Sequence, residues 1–166
     1  MIVLGIDPGT ATTGYGVVEN SIKKSRKEMV QTCVAYGVIK TSPKMGTGQR
    51  LAQISSELII LIEKYEPKII VVESLYFFKN LKTALPVSQA RGVILLEAAK
   101  KNVSVLEFTP LQIKTGVCGY GRAEKVQVQK MVQLLLKLKE LPRPDDAADA
   151  LAAAICGCDS LKLLKN

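Results

Sequence analysis

The chain opens with Ile2-Val3-Leu4-Gly5-Ile6, a short apolar run that stops at Asp7-Pro8-Gly9 and reads as a strand ending in a turn. Apolar residues then alternate around Tyr15, Val17 and Val18, predicting a second strand over 13–19, with a third over 30–39. These three form an antiparallel meander. Gly9, Gly14 and Gly16 fall where a tight turn or a close approach would be useful. From residue 47 to 65 the period lengthens: Leu51, Ile54, Leu58, Ile59, Leu61 and Ile62 recur at helical spacing until Pro67. Ile69-Ile70-Val71-Val72 is a continuous β-branched run, as expected of a strand covered on both faces, and it ends in Glu73.

A helix is predicted over 81–101, with Pro86 near its start. Its later half, Val93-Ile94-Leu95-Leu96 then Ala98-Ala99, is apolar nearly all round, so one side can face the sheet and another a partner subunit. A fifth strand over 103–108 and a short helix over 109–117 follow. A glycine-bearing loop (Gly116, Gly119, Gly121) leads to a helix over 124–138. Leu141-Pro142-Arg143-Pro144 is a connector, and the last helix starts near Pro144 and runs to about Ile155. A meander followed by alternating strands and helices makes an α/β protein: a mixed five-stranded sheet with helices on both faces, in the chain order of a ribonuclease H-like fold. The expected organisation is one ribonuclease H-like domain over 1–158 and a short tail over 159–166, in keeping with a length of 166 residues.

Composition narrows the function. No apolar run reaches the roughly 20 residues that span a bilayer, and the first strand begins too early to leave room for a signal peptide. A cytoplasmic protein with no membrane role is expected. Cys33, Cys118, Cys156 and Cys158 form no C-x-x-C pair and the chain has no histidine, so a zinc site with the usual ligands is disfavoured. The thiols are expected to act as small buried apolar groups. The net charge of +8 is concentrated: residues 76–139 hold 11 Lys/Arg against 3 Asp/Glu, and the rest of the chain holds 12 of each. A polyanionic partner explains that concentration, because phosphate contacts by Lys and Arg drive nucleic-acid association.

Four acids then stand out. Asp7 ends a strand that should be central, although Asp-Pro-Gly also suits a turn. Glu73 ends another apolar strand, and Glu is not a turn residue. Asp146 and Asp149, three apart, share one face of the last helix. A place in the first turn accounts for Asp145 and fairly for Asp146. It does not account for Asp149, set among Ala147, Ala148, Ala150 and Ala152. Four carboxylates without histidine are oxygen-only ligands, suited to Mg²⁺ or Mn²⁺. Two such ions roughly 3.5–4 Å apart can activate a water and stabilise the leaving oxygen of a phosphodiester.

These residues resemble a known family. Gly5-Ile6-Asp7-Pro8-Gly9-Thr10 with Thr13-Gly14-Tyr15-Gly16 is similar to the opening of the RuvC Holliday junction resolvases. So are Glu73 with Lys79-Asn80, Gln89-Ala90-Arg91-Gly92, Gly121 with Ala123-Glu124-Lys125, Gln127-Val128-Gln129, and Asp146-Ala147-Ala148-Asp149-Ala150-Leu151. The resemblance runs in order along nearly the whole chain. It implies a homodimer with two Mg²⁺-dependent active sites, a pair of ions in each, and Mn²⁺ as a substitute. It implies symmetric paired nicking of four-way DNA junctions during recombination and repair, beside a RuvA–RuvB branch-migration complex. Carried over by position, Asp7, Glu73, Asp146 and Asp149 are the catalytic, metal-binding acids. Lys114 and Lys125 match basic positions near the scissile phosphate, and Tyr76 falls where an aromatic stacks on an unpaired base, with Phe77 and Phe78 beside it. Lys79, Arg91 and Arg122 complete the expected DNA contacts. Asp145 is an extra acid beside the motif. Two other readings exist: an actin-like ATPase fragment, for which the chain is short and lacks a P-loop, and a DNA-binding module without catalysis, which leaves the acids unexplained.

Overall fold

The computed structural model describes residues 1–23, 28–74 and 81–163. Among the described residues one five-stranded sheet is built from β1 (Ile2–Asp7), β2 (Thr12–Lys23), β3 (Glu28–Lys40), β4 (Ile69–Glu73) and β5 (Ser104–Phe108), in the spatial order β3-β2-β1-β4-β5. The meander β1–β2–β3 is antiparallel, whereas β4 and β5 join parallel to β1. Among the described residues five helices accompany it: α1 (Thr47–Tyr65), α2 (Leu81–Lys100), α3 (Pro110–Cys118), α4 (Lys125–Leu135) and α5 (Asp145–Leu163). The mixed sheet and the element order are as expected from the sequence. Four element ends differ appreciably. β2 and β3 extend further at their connected ends, α4 stops at Leu135, and α5 runs to Leu163 rather than to Ile155. Residues 159–163 therefore continue a helix, where the sequence suggested a tail. Gln31 on β3 donates to the Asp159 carboxylate at 2.8 Å, and Asn20 on β2 donates to the Cys158 carbonyl at 3.2 Å, so the sheet holds this extra length.

Strand alternation divides the core in two. Leu4, Ile6, Val17, Ile70 and Val72 point to one face, where Ile54, Leu58, Leu61 and Ile62 of α1 and Ala90, Ile94 and Ala98 of α2 cover them. Val3, Val18 and Val71 point to the other, beneath α5, α3 and α4. Burying each large aliphatic side chain contributes about 1.5–3 kcal/mol. All four cysteines belong to or pack against the α5 side, Cys156 and Cys158 buried and Cys33 and Cys118 half-buried, as small apolar groups should.

Glycine decides how α5 sits. Gly5 on β1 and Gly14 on β2 face the helix, and a Cβ at Gly5 would overlap the Ala150 carbonyl oxygen while one at Gly14 would overlap that of Asp146. The absence of side chains lets the helix backbone lie directly on the sheet. Alanine at 147, 148, 150, 152, 153 and 154, each fully buried, completes the fit from the helix side. Among the described residues no helix is long and apolar enough to cross a membrane.

Candidate active site

The strand pattern that packs the core also aims the acids. Val3, Gly5 and Asp7 lie on the α5 face of β1, and Val71 and Glu73 on the same face of β4, since side chains alternate along a strand. β1 and β4 are parallel neighbours, with Ile6 opposite Val72, so both acids emerge at the same end of the sheet. The loop after Asp7 is pinned: Thr13 Oγ1 donates to Gly9 O and Thr41 Oγ1 to Thr10 O, both at 2.6 Å. α5 runs antiparallel to β1, with Asp146 level with Gly14 and Ala154 level with Gly5. Gly14 is the cross-strand partner of Asp7, so the first turns of α5 carry Asp146 and Asp149 to that same end.

Asp7, Glu73 and Asp149 line one cleft of about 350 Å³ with Pro8, Ser74, Val87 and Pro110. An adjoining recess of about 210 Å³ shares Glu73, Asp149 and Pro110, and adds Lys114, Lys125, Ile113 and Val128. Asp146 lies outside both linings but close enough for its charge to act on Asp7 and Asp149. Val87 and Pro110 are site residues that no sequence motif marks, because walls carry no reactive group for a motif to reveal.

Two capped helix starts place the lysines. Thr109 caps α3, its hydroxyl accepting from Gln112 N at 3.2 Å while Gln112 Oε1 accepts from Thr109 N at 2.8 Å. That sets Lys114 one turn in, on the cleft side. At α4, Gln127 Oε1 accepts from Glu124 N at 2.8 Å and from the Tyr120 hydroxyl at 2.6 Å, fixing the turn that bears Lys125.

The electrostatics are those of a crowded anionic site. Burial, then the charges of Glu73, Asp149 and Asp146, push the Asp7 carboxyl up to about 8, with Lys125 opposing. Burial and Asp149 push Glu73 up to about 7 against the pull of Lys114 and Lys125. Burial also raises Asp149 despite Lys125, with Asp145 and Asp146 adding to the rise. Among the described residues no three acids are drawn together closely enough to form a ready ligand set. Like charges in a half-buried cleft repel, and a cation is what would offset that repulsion. The donor set fits a hard divalent ion: it is all oxygen, in a chain without histidine.

Other expected residues are distributed differently. Arg91 on α2 forms an ion pair with Glu107 on β5 and does not line the cleft. Arg122 is exposed in the connection between α3 and α4. Tyr76, Phe77, Phe78 and Lys79 lie outside the described residues. The central basic excess is not all at the acids either. Lys100 and Lys101 pair with Glu97 and Glu63 beside the start of β5, the opposite end of the sheet.

Known proteins match this chain in sequence and in fold. Residues 3–157 match the family described as crossover junction endodeoxyribonuclease RuvC. Curated relatives of that name include one from Petrotoga mobilis, 50% identical over 166 residues and covering 100% of this chain and 98% of its own. Another, from Caldicellulosiruptor saccharolyticus, is 48% identical and covers 94% and 91%. Thermus thermophilus RuvC superposes with a TM-score of 0.87 at 33% identity, over 98% of this chain and 96% of that one. The same protein in complex with a Holliday junction substrate gives 0.84 at 30% identity, with the same coverage. Ydc2, the yeast mitochondrial Holliday junction resolvase, shares the fold at 21% identity, with a TM-score of 0.68. The chain belongs to the RuvC family of crossover junction endodeoxyribonucleases.

Proposed function

We propose that this endonuclease resolves four-way DNA junctions by paired symmetric nicks, with Asp7, Glu73, Asp146 and Asp149 holding the divalent ions of a metal-dependent site. The convergence of acids from β1, β4 and α5 on a cleft edged by Lys114 and Lys125 carries this reading. Mg²⁺, with Mn²⁺ as a substitute and two ions per site, suits the oxygen-only donors. When bound, such ions supply Lewis acidity toward a phosphodiester and lower the cost of deprotonating water. The chain's own residues do the rest. Lys114 and Lys125 present ammonium groups to the backbone phosphate, and the walls of Pro8, Val87 and Pro110 limit water at the acids. The exposed basic side chains of Arg122, Lys125 and Lys130, on α4 and the connection before it, extend the favourable potential along the strand. Arg91, whose charge Glu107 offsets, is a proposed DNA contact away from the cleft, while Tyr76, Phe77 and Lys79 remain the proposed stacking and phosphate contacts beyond Glu73.

A symmetric pair of cuts needs two sites, and a homodimer through α2 provides them. Leu85 and Leu96 on that helix are 67% and 53% exposed, opposite the side packed on α1 and the sheet. Cooperation with a RuvA–RuvB complex in the cytoplasm belongs to the same proposal and rests on the family resemblance. The test is cleavage of a synthetic four-way junction with and without Mg²⁺, against linear duplex at matched salt, because basic proteins bind all DNA more tightly at low salt. Selective, Mg²⁺-dependent nicking is expected, and Asp7→Asn should bind the junction without cutting it. An Asp7→Asn protein that cuts at the normal rate would refute the assignment of the acids.

A further inference from the structure

Asp145 is not one of the four acids, yet α4 grips it at two points. Gln129 Nε2 donates to its Oδ1 at 2.7 Å, and Lys125 Nζ lies 3.9 Å from its Oδ2. Gln129 and Lys125 are four residues apart, so they share one face of α4. A single carboxylate at the first residue of α5 is therefore clamped by the first turns of α4. The clamp ties the helix that carries Asp146 and Asp149 to the helix that carries Lys125.

Lys125 is the basic group whose charge reaches Asp7, Glu73 and Asp149 alike. It is also a long side chain, 69% exposed, with many rotamers open to it. A fixed carboxylate at one edge of its reach narrows that choice, and Gln129 fixes the carboxylate. We infer that Asp145 is a positioning residue: through Gln129 it is held where it keeps the Lys125 ammonium over the recess beside the acids. The plainer alternative is that Asp145 only favours the α5 macrodipole, as acids do in a first turn. The two make different predictions. A macrodipole role changes stability and leaves turnover alone. A purely long-range role of its negative charge would make removal favourable, since one anion fewer beside a polyanion tightens DNA binding.

This inference rests on the proposed role of Lys125 in the cleft, and a double-mutant cycle separates the two. Single-turnover nicking of a four-way junction would be measured for the full-length protein, Asp145→Ala, Lys125→Ala and the double variant, with KM for the junction and thermal midpoints recorded for each. Exposed carboxylate–ammonium pairs are weak, so the expected loss in rate for Asp145→Ala is about two- to fivefold. KM should be unchanged or lower and the midpoint little altered. In the Lys125→Ala background, Asp145→Ala should have no further effect on rate, because neighbours that act together are non-additive. Gln129→Leu, which removes the other half of the clamp without touching charge, should reproduce part of the loss. An equal loss from Asp145→Ala with and without Lys125, or no loss at all, overturns the inference. Full activity in Lys125→Ala alone overturns the reading of Lys125 itself.

Discussion

Replacing Asp7 with asparagine should make the metal-free protein less sensitive to alkaline pH. The carboxyl has its folded-state value raised from 3.8 to about 8, chiefly by burial and then by Glu73, Asp149 and Asp146. A raised carboxylate retains its proton in the folded chain when the unfolded chain has already lost it. Stability from this group is thus full below about pH 4 and is lost as pH rises toward about 8. Over the three units from pH 5 to pH 8, at 1.36 kcal/mol per unit, the ceiling is about 4 kcal/mol. The side chain is half-buried, so solvent screening reduces this to roughly 1–2 kcal/mol. Asn keeps the shape and cannot ionise. Urea midpoints in EDTA at pH 5, 6.5 and 8 and fixed ionic strength should fall with pH for the wild type and clearly less for Asp7→Asn. Glu73, raised to about 7, leaves a residual slope in the variant. Adding Mg²⁺ at pH 8 should stabilise the wild type more than Asp7→Asn, because a ligand of the folded state stabilises in proportion to its affinity. Equal pH slopes for the two proteins would show that the acids are not crowded at one buried site.

Other consequences are as direct. Gly5→Ala places a methyl on the Ala150 carbonyl, and an overpacked contact of this kind should cost about 1–3 kcal/mol, read from the urea midpoint. An unchanged midpoint would mean that α5 does not rest on the β1 backbone. Leu96→Glu alters an exposed side chain, so the fold should persist while sedimentation shows monomers; a folded dimer would remove α2 from the interface. Lys114→Ala should slow nicking more than it weakens junction binding, measured as separate kcat and KM effects, because Lys114 lies in the recess with Glu73 and Asp149.

Much of this molecule is readable along the chain because its information is local. The apolar run ending at Asp7, the β-branched run ending at Glu73 and the alanine-rich turn around Asp149 each declare an element and a misplaced acid together. Helical spacing over Thr47–Tyr65 predicts α1 to the residue. The end of α5 was not readable, because its last turns are held by Gln31 and Asn20, which lie more than 100 residues away in sequence. The basic excess likewise looked like one block, although folding sends Lys100 and Lys101 to the far end of the sheet.

By itself, then, the sequence determined which residues are strand, helix, core and candidate ligand, since alternation, helical period and residue chemistry are properties of neighbours. Only the tertiary structure decided that the acids share one end of the sheet. Parallel pairing of β1 with β4 brings Asp7 and Glu73 to one end, and side-chain-free Gly5 and Gly14 let α5 lie close enough to deliver Asp146 and Asp149 there. The same packing made Asp145, an acid that a first turn already accounts for, a polar link between α4 and α5. Such contacts join residues far apart in sequence, and no pattern of neighbours encodes the distance between them.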